Sequence, residues 1–182
     1  RAFHNSVNIE LYTKVRYFLY ICNGSNATQR MKIGVISDTH NTFDEQLRTF
    51  LAPCDEIWHA GDIGSLELAD EISRFKPLRA VYGNIDGGDV RRTYRETNRF
   101  TIEGTDVLMK HIGGYPGKYD RTIYGILCKE RPQLFISGHS HILKVMYDNT
   151  IGCLHINPGA AGRQGWQQVR TLVKFTIDGK EI

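Results

Sequence analysis

Short apolar runs alternate with segments of helical spacing along most of the chain. The run Lys32–Ile36 is rich in β-branched and apolar residues, which is typical of a strand covered on both faces. The segment Phe43–Leu51 has helical spacing and ends before Pro53. The next elements are a strand at Glu56–Ala60, a helix at Leu66–Phe75 and a strand at Arg79–Tyr82. This β-α-β-α-β order predicts parallel strands joined by right-handed crossovers.

The second half of the chain predicts more strands and fewer helices. Strands are expected at Asp106–His111 and Leu134–Ser137, with a helix at Arg121–Lys129 between them. The pattern then becomes all-β, with strands at Leu143–Tyr147, Ile151–Ile156 and Thr171–Ile177 and a hairpin turn at Asp148-Asn149. We therefore expect one α/β domain whose second half adds antiparallel strands.

Composition narrows the class of protein. The chain has 182 residues, of which 41% are hydrophobic and 24% charged, as in an ordinary globular domain. Its longest apolar candidate for a membrane segment, Tyr17–Cys22, is far shorter than the roughly 20 residues needed to span a bilayer. The four cysteines follow neither a disulfide framework nor a metal spacing: Cys22, Cys54, Cys128 and Cys153. We expect a cytoplasmic protein; a membrane protein, a secreted mini-protein and a coiled coil are excluded.

The first thirty residues differ from the rest. Residues 1–30 hold four basic and one acidic side chain, which leaves 19 of each sign in residues 31–182. The excess positive charge therefore belongs to the leader, and Met31 opens directly into a strand. We expect residues 1–30 to be a tag or upstream leader outside the fold, and residues 31–182 to form the domain.

Polar side chains follow successive strands. They are Asp38, His40, Asp62, Asn84, His111, His139 and His141. Any one of them alone would ordinarily be a cap or a turn former. The carboxyl ends of strands are, however, where open α/β sheets bind ligands. Two carboxylates, one amide and four imidazoles exceed what one ion needs, and they suit two borderline divalent metals such as Mn, Fe, Ni or Zn. A calcium site would use more carboxylates and fewer histidines.

These residues carry a family resemblance. The chain resembles the calcineurin-like metallophosphoesterases, and its spacing and short length resemble their small YfcE-like phosphodiesterase group. The motifs span Met31 to about Gly162, and they are Ser37-Asp38-Thr39-His40-Asn41, Ala60-Gly61-Asp62, Val81-Tyr82-Gly83-Asn84-Ile85-Asp86, Met109-Lys110-His111 and Ser137-Gly138-His139-Ser140-His141. Five motifs in order form a specific signal.

The resemblance implies a four-layer α/β/β/α sandwich with mixed sheets and a dinuclear metal centre at one edge. It assigns the first ion to Asp38, His40 and His141, the second to Asn84, His111 and His139, and a bridging role to Asp62. Manganese is expected first, with nickel, iron, zinc and magnesium as alternatives. The implied reaction is hydrolysis of a small phosphodiester by a metal-bridging hydroxide, with Asp62, Asn84 and His111 as the catalytic residues. The resemblance also implies a homodimer or homotetramer.

Two departures from the family pattern bear on the chemistry. Larger relatives place a histidine after the Gly-Asn pair, where this chain has Ile85, which has no proton to give a leaving group. The small phosphodiesterases also lack it, so the change indicates the subgroup. Many relatives place glycine directly after the ligand His111, where this chain has Ile112. Two divalent ions, two carboxylates and one hydroxide sum to about +1, which favours a singly charged diester over a doubly charged monoester.

Several other residues have open interpretations. His59 is expected to be a buried residue that orients a ligand, and His155 to be structural. Asp86 either supports a ligand or caps a turn. The segment Gly113–Lys118 is interpreted as a surface loop, with a substrate flap as the alternative, in which Lys118 would meet phosphate. A basic helical face is expected for Arg91, Arg92, Arg95 and Arg99.

Two other functions compete with the enzyme. One is a non-catalytic interaction scaffold on the same fold, like the retromer subunit that resembles this family. Such a scaffold can lose metal ligands, whereas this chain keeps a ligand-capable side chain at all seven positions. The other is a nuclease, but the formally neutral body lacks the basic field of a nucleic-acid binder, so no nucleic-acid partner is expected.

Overall fold

The computed structural model describes residues 9–11, 30–179 and 181–182. From the expected leader it includes Arg30 and the short strand β1 (Ile9–Leu11), which pairs antiparallel with the last strand of the chain. The apolar run Tyr17–Cys22 lies outside the described residues, and the boundary at Met31 stays a prediction. No helix in the described ranges has the length and apolar character needed to cross a membrane.

Two five-stranded sheets form the centre of the domain. The first has the order β1, β12, β2, β3, β4, and the second has the order β10, β11, β9, β6, β5. The strands of the first sheet after β1 are β2 (Met31–Ile36), β3 (Glu56–His59), β4 (Leu78–Ala80) and β12 (Val173–Ile177). Those of the second are β5 (Thr97–Ile102), β6 (Thr105–Lys110), β9 (Leu134–Ile136), β10 (Leu143–Asp148) and β11 (Cys153–Pro158). In the first sheet β2, β3 and β4 run parallel, as the sequence predicted. In the second sheet β6, β9 and β11 also run parallel, which the sequence did not predict, while β5 and β10 add the expected antiparallel pairs at its edges.

Helices cover the outer faces of both sheets. Helices α1 (Glu45–Leu51), α2 (Leu66–Phe75) and α3 (Gly88–Thr93) pack on the first sheet, and α4 (Arg121–Glu130) packs on the second. A buried layer between the sheets joins Val35 and Trp58 of the first to Met109 and Ile136 of the second. The four-layer α/β/β/α sandwich is therefore confirmed. Its largest apolar side chains, among them Trp58 and Phe135, are completely buried, and burial of such side chains is the main source of hydrophobic stabilisation.

Two segments differ from the sequence prediction. The prediction of a basic helical face is wrong. Helix α3 contains only Arg91 and Arg92, whereas Arg95 follows the helix and Arg99 lies in strand β5. Arg99 forms ion pairs with Asp106 and Glu130, so its charge is satisfied within the fold. The segment expected as a surface loop forms a two-stranded hairpin, β7 (Gly114–Tyr115) and β8 (Lys118–Tyr119). The intervening Pro-Gly pair, with Gly117 at φ 83°, suits the tight turn.

Candidate metal centre

The loops at the carboxyl ends of five strands meet at one edge of the sandwich. Asp38 and His40 follow β2, Asp62 follows β3, Asn84 follows β4, His111 follows β6, and His139 and His141 follow β9. Backbone hydrogen bonds tie these loops together: Asp38 donates to the Gly61 carbonyl (2.9 Å), His40 to Asp62 (3.1 Å) and Gly138 to His111 (2.9 Å). The loops from the two sheets are thus joined by hydrogen bonds around the site.

Six of the expected residues form two compact groups. Asp38, His40 and His141 make one, and Asp62, His111 and His139 make the other; within each group, ligand atoms lie within 4.8 Å of one another. Asn84 adds an amide oxygen to the second group, 3.0 Å from His111 Nε2. The groups are adjacent, because His111 Nε2 lies 3.3 Å from Asp62 Oδ2 and 4.0 Å from Asp38 Oδ1. The structure therefore brings all seven residues together, and their roles as metal ligands stay a prediction.

The backbone at this site is strained. Asp38, His40, Asp62, His139 and His141 all have φ between 45° and 67°, in the left-handed region that non-glycine residues seldom adopt. Such conformations cost about 1–3 kcal/mol each and persist only where surrounding structure enforces them. Their concentration at five ligand-capable residues marks this edge as a functional site. The glycine before Asn84 is also required, because a Cβ on Gly83 would collide with Asp62 Oδ1.

The hydrogen bonds of His111 leave its Nε2 directed at oxygen atoms. Its Nδ1 lies 2.7 Å from the carbonyl oxygen of Ala60, which only accepts, so Nδ1 carries the hydrogen. In the neutral ring Nε2 is then an unprotonated acceptor facing the oxygens of Asp62, Asn84 and Asp38. Four acceptor atoms without a hydrogen between them repel one another. A cation at this point, either a proton or a metal ion, removes the conflict.

His141 is oriented in a similar way by a side chain. Its Nδ1 lies 2.8 Å from Gln167 Oε1. The orientation of the Gln167 amide follows from its other contacts, because its Nε2 donates to the carbonyl oxygens of Gly162 and Gln164. His141 Nδ1 therefore carries the hydrogen, and Nε2 points at Asp38 Oδ1, 3.1 Å away. Metal-binding histidines commonly hold their second nitrogen in this manner.

The unpaired oxygen of Asp38 tests whether the residues fit a metal ion. Asp38 is completely buried, and its Oδ1 has no hydrogen-bond donor, whereas Oδ2 accepts from the backbone N–H of His139 (3.1 Å). A buried, unpaired carboxylate oxygen is costly. A divalent ion between Asp38 Oδ1 and the imidazole nitrogens of His40 and His141 would satisfy it. Carboxylate and imidazole donors together suit borderline divalent metals, so these residues fit a divalent metal ion.

Electrostatics separate the two carboxylates. Burial raises the pKa of Asp38 even though His111 opposes the shift. Burial also acts to raise the pKa of Asp62, but the hydrogen bond and charge of His111, together with the N–H of Ile85, outweigh that effect and the net shift is downward. For His111 burial acts to lower the pKa, but the hydrogen bond with Asp62 and the charges of Asp38 and Asp62 together outweigh it, so the net shift is upward. Positive charge is thus favoured between these groups, as a metal site requires.

Three further residues hold the loops in place: His59, Asp86 and Arg91. His59 is completely buried, and burial lowers its pKa to about 4, so the ring is neutral. Its Nδ1 accepts from the Gly61 N–H (3.2 Å), and its Nε2 therefore donates to Thr39 Oγ1 (2.8 Å), between Asp38 and His40. His59 is therefore buried as expected and holds the loops after β2 and β3, and that it orients metal ligands stays a prediction.

Asp86 and Arg91 fix the loop that carries Asn84. The two carboxylate oxygens of Asp86 accept from the N–H groups of Gly64 (2.8 Å) and Gly83 (2.7 Å), so Asp86 caps the loops after β3 and β4. Arg91 donates to the carbonyl oxygens of Asp86 (2.7 Å) and Asn84 (3.0 Å). The sequence offered Arg91 only as part of a basic face, whereas the structure shows it supporting the site.

A surface segment anchored by an ion pair contacts His141. The segment 162–170, between β11 and β12, is anchored by Arg170, whose guanidinium contacts both oxygens of Asp44 (2.7 and 3.0 Å) and the Ala161 carbonyl (2.6 Å). Gln167 and this anchor were missed by the sequence analysis. The signal available was a polar, glycine-containing segment close to the last motif, and nothing in its spacing specified a contact with His141.

The remaining candidates lie outside the two groups. His155 is buried with a pKa lowered to about 4 by burial, and its Nε2 lies 3.0 Å from Ser137 Oγ, so its structural role is confirmed. Lys118 is exposed on the hairpin. Ile85 donates its backbone N–H to Asp62 Oδ1 (3.1 Å), so the position that is histidine in larger relatives contacts the site here through its backbone.

A four-layer sandwich with two adjacent groups of carboxylate and imidazole at its strand ends defines a metallophosphoesterase. The profile of the calcineurin-like phosphoesterase superfamily domain matches residues 31–180, and the chain belongs to this superfamily. A probable metallophosphoesterase of Methanothermobacter thermautotrophicus is 30% identical over 162 residues, covering 84% of this chain and 89% of that protein. The resemblance found in the sequence is therefore confirmed.

Solved structures of lower identity share the fold. A structure described as a novel archaeal phosphodiesterase matches with a TM-score of 0.63 and 22% identity, covering 79% of this chain and 92% of that one. Vps29 of Entamoeba histolytica, solved in complex with Zn²⁺, matches with a TM-score of 0.58 and 19% identity, covering 79% and 84%. At these identities the likeness extends to the fold alone.

Proposed function

We propose that the chain is a metal-dependent phosphodiesterase that uses two divalent ions, manganese being the first expectation. The observation that carries this proposal is the pair of adjacent carboxylate–imidazole groups, the first of which contains the unpaired buried oxygen Asp38 Oδ1. Asp38, His40 and His141 would hold one ion, and Asp62, Asn84, His111 and His139 the other. When bound, such ions lower the pKa of a coordinated water and neutralise charge that develops on the phosphoryl oxygens.

The residues of the chain supply positioning and charge balance. His111 and His141 donate their Nδ1 hydrogens to the oxygens of Ala60 and Gln167. Both Nε2 atoms are therefore free to bind a metal ion. Asp62, held by the Ile85 N–H, keeps its negative charge because the net shift of its pKa is downward. Ile85 offers no side-chain proton, so a substrate whose leaving group is already acidic suits this site. A singly charged diester also balances the charge of the loaded centre better than a monoester.

The experiment compares a diester with a monoester. Chelated protein is reloaded with Mn, Ni, Zn or Mg, and hydrolysis of bis-p-nitrophenyl phosphate is compared with that of p-nitrophenyl phosphate. We expect metal-dependent turnover with a higher kcat/KM for the diester. Asp62→Asn should lower it by at least about 100-fold and reduce the bound metal. The matched control is Asp70→Asn, the same change at an exposed position of α2.

A non-catalytic scaffold is the second candidate, and the fold likeness to Vps29 supports it. The two functions predict different results in the same assay. If the protein binds two ions and cleaves neither ester with any of the four metals, the enzyme proposal fails and the scaffold is favoured. Equal turnover by the wild type and Asp62→Asn would also contradict the proposed assignment.

A further inference from the structure

Large apolar side chains are exposed beside the metal centre. We call them the apolar rim: Ile85, Ile142 and Trp166, with 51%, 62% and 102% of their surface exposed. Each is adjacent in the chain to a residue of the site, namely Asn84, His141 and Gln167. Large apolar groups that are exposed next to a polar site are typical of a binding surface. The tryptophan is the most unusual, because its large aromatic surface ordinarily gains stabilisation by burial.

Trp166 is held near the first ligand group by its neighbours. A Cβ on Gly165 would collide with the imidazole of His141, so the backbone at that point lies directly against the ring. On the other side of Trp166, Gln167 accepts the hydrogen bond from His141 Nδ1. Further along, Arg170 anchors the segment to Asp44. The backbone that carries the indole is therefore fixed beside His141, while the indole itself is left free for a ligand.

We propose that the apolar rim binds a planar aromatic group of the phosphodiester, with Trp166 stacking on that group. This inference rests on the proposed function, since the phosphate would be held at the metal centre and its ester group would extend over the rim. Trp166 is thus a specificity-determining residue.

Substrates with a common leaving group test the contact. Bis-p-nitrophenyl phosphate and methyl p-nitrophenyl phosphate both release p-nitrophenolate, so they differ only in the retained group. We expect Trp166→Ala to raise KM for the bis-aryl diester about 10-fold with kcat within about twofold, and to change KM for the methyl ester less. Trp166→Phe should keep most of the preference. Val169→Ala, at an exposed position of the same segment, should change neither KM.

A binding measurement separates this inference from the proposed activity. Phenylphosphonate and methylphosphonate resist hydrolysis, and they carry equal charge at a pH above the second pKa of both, which is where they are compared. By calorimetry on manganese-loaded protein, phenylphosphonate should bind about 10-fold more tightly, and Trp166→Ala should remove the difference. Because Trp58, the other tryptophan, is completely buried, covering Trp166 should also shift the fluorescence emission to shorter wavelength.

The outcomes are distinct. A Trp166-dependent phenyl preference without diester turnover would support the apolar rim and refute the proposed phosphodiesterase. Diester turnover with the same phenyl preference in the wild type and Trp166→Ala would refute the apolar rim alone. If Trp166→Ala instead changes the mass in light scattering and leaves phosphonate binding unaltered, the tryptophan contacts another copy of the chain and the inference is overturned.

Discussion

The contact between Asp44 and Arg170 connects stability to the site, and its loss has a calculable effect. Asp44 is the N-cap of α1, where its Oδ1 accepts from the Leu47 N–H (3.3 Å). It also receives a two-armed contact from Arg170, whose side chain is only 17% exposed, and a further ion pair from Arg163. The hydrogen bond from Arg170, helped by that from Arg163, holds the pKa of Asp44 far below its usual range.

Two substitutions separate the cap from the charge. Asparagine caps helices about as well as aspartate, so Asp44→Asn should keep the cap and lose the charged contacts. A partly buried, charge-assisted contact contributes about 1–2 kcal/mol, so we expect that loss in the free energy of unfolding at pH 7. Asp44→Ala should lose about 1 kcal/mol more through the missing cap. Asp70→Asn, at an exposed position of α2, should change stability by less than about 0.5 kcal/mol.

The deficit of Asp44→Asn should depend on pH. The folded pKa is depressed, so the ionised carboxylate stabilises the protein above the ordinary pKa of 3.8 and loses that contribution as pH falls toward the folded value. At pH 3 the unfolded chain is already largely protonated at this position. The stabilisation, and with it the deficit of the variant, should therefore be about 1 kcal/mol smaller at pH 3 than at pH 7. Urea denaturation of both proteins at both pH values measures this difference. Equal deficits at the two pH values would refute the assigned ion pair.

Two further predictions concern the ligand groups. Gln167→Ala should weaken manganese binding at the first group by about 10- to 100-fold, measured by calorimetry on chelated protein. The control Gln168→Ala, at the neighbouring exposed position, should leave the affinity unchanged. Equal affinities in the wild type and both variants would contradict the hydrogen bond assigned between Gln167 and His141. Gly83→Ala should lower both the Tm and the metal content, because its Cβ would overlap Asp62 Oδ1. Gly87→Ala has open space for its Cβ and should keep the metal content of the wild type, although its Tm should fall slightly because Gly87 is the N-cap of α3. Normal metal content in Gly83→Ala would show that the loop tolerates the methyl group.

Regular elements with a buried face were predictable from the sequence. The helix at Leu66–Phe75 was predicted with its observed bounds, because Ser65 caps it and its apolar residues recur at helical spacing. The parallel strands β2 and β3 were predictable for the same reason, since burial on both faces leaves continuous apolar runs. Where the hydrophobic pattern is strong, it specifies the local structure.

The edge of the second sheet carried no such signal. Strand β5 begins Thr97-Asn98-Arg99, and its charged residue is paired with acidic groups on β6 and α4 rather than exposed in a regular pattern. The spacing of four between Arg91, Arg95 and Arg99 therefore imitated a helix face. Edge strands commonly contain charged residues, so their sequences resemble solvated segments.

The positions of the site loops were predictable, but their support was not. Parallel strands bring their carboxyl ends together, which is why the polar residues after them converge. The tautomer of His141 depends on Gln167, 26 positions further along, and that contact exists only because the chain passes the site again between β11 and β12. Short-range patterns do not contain such a contact.

The two ligand groups are supported by different parts of the fold. His111 is held by the Ala60 carbonyl, directly after the buried strand β3, so its orientation depends on backbone that the core fixes. His141 is held by a side chain on the segment 162–170, which the ion pair between Arg170 and Asp44 fastens to α1. Loss of that ion pair is therefore expected to disturb the position of His141 and of the neighbouring Trp166. The Asp62–His111 group keeps its own support. The centre thus has one half fixed by the sheets and one half that depends on a surface segment, and that segment is where the apolar rim presents its aromatic residue.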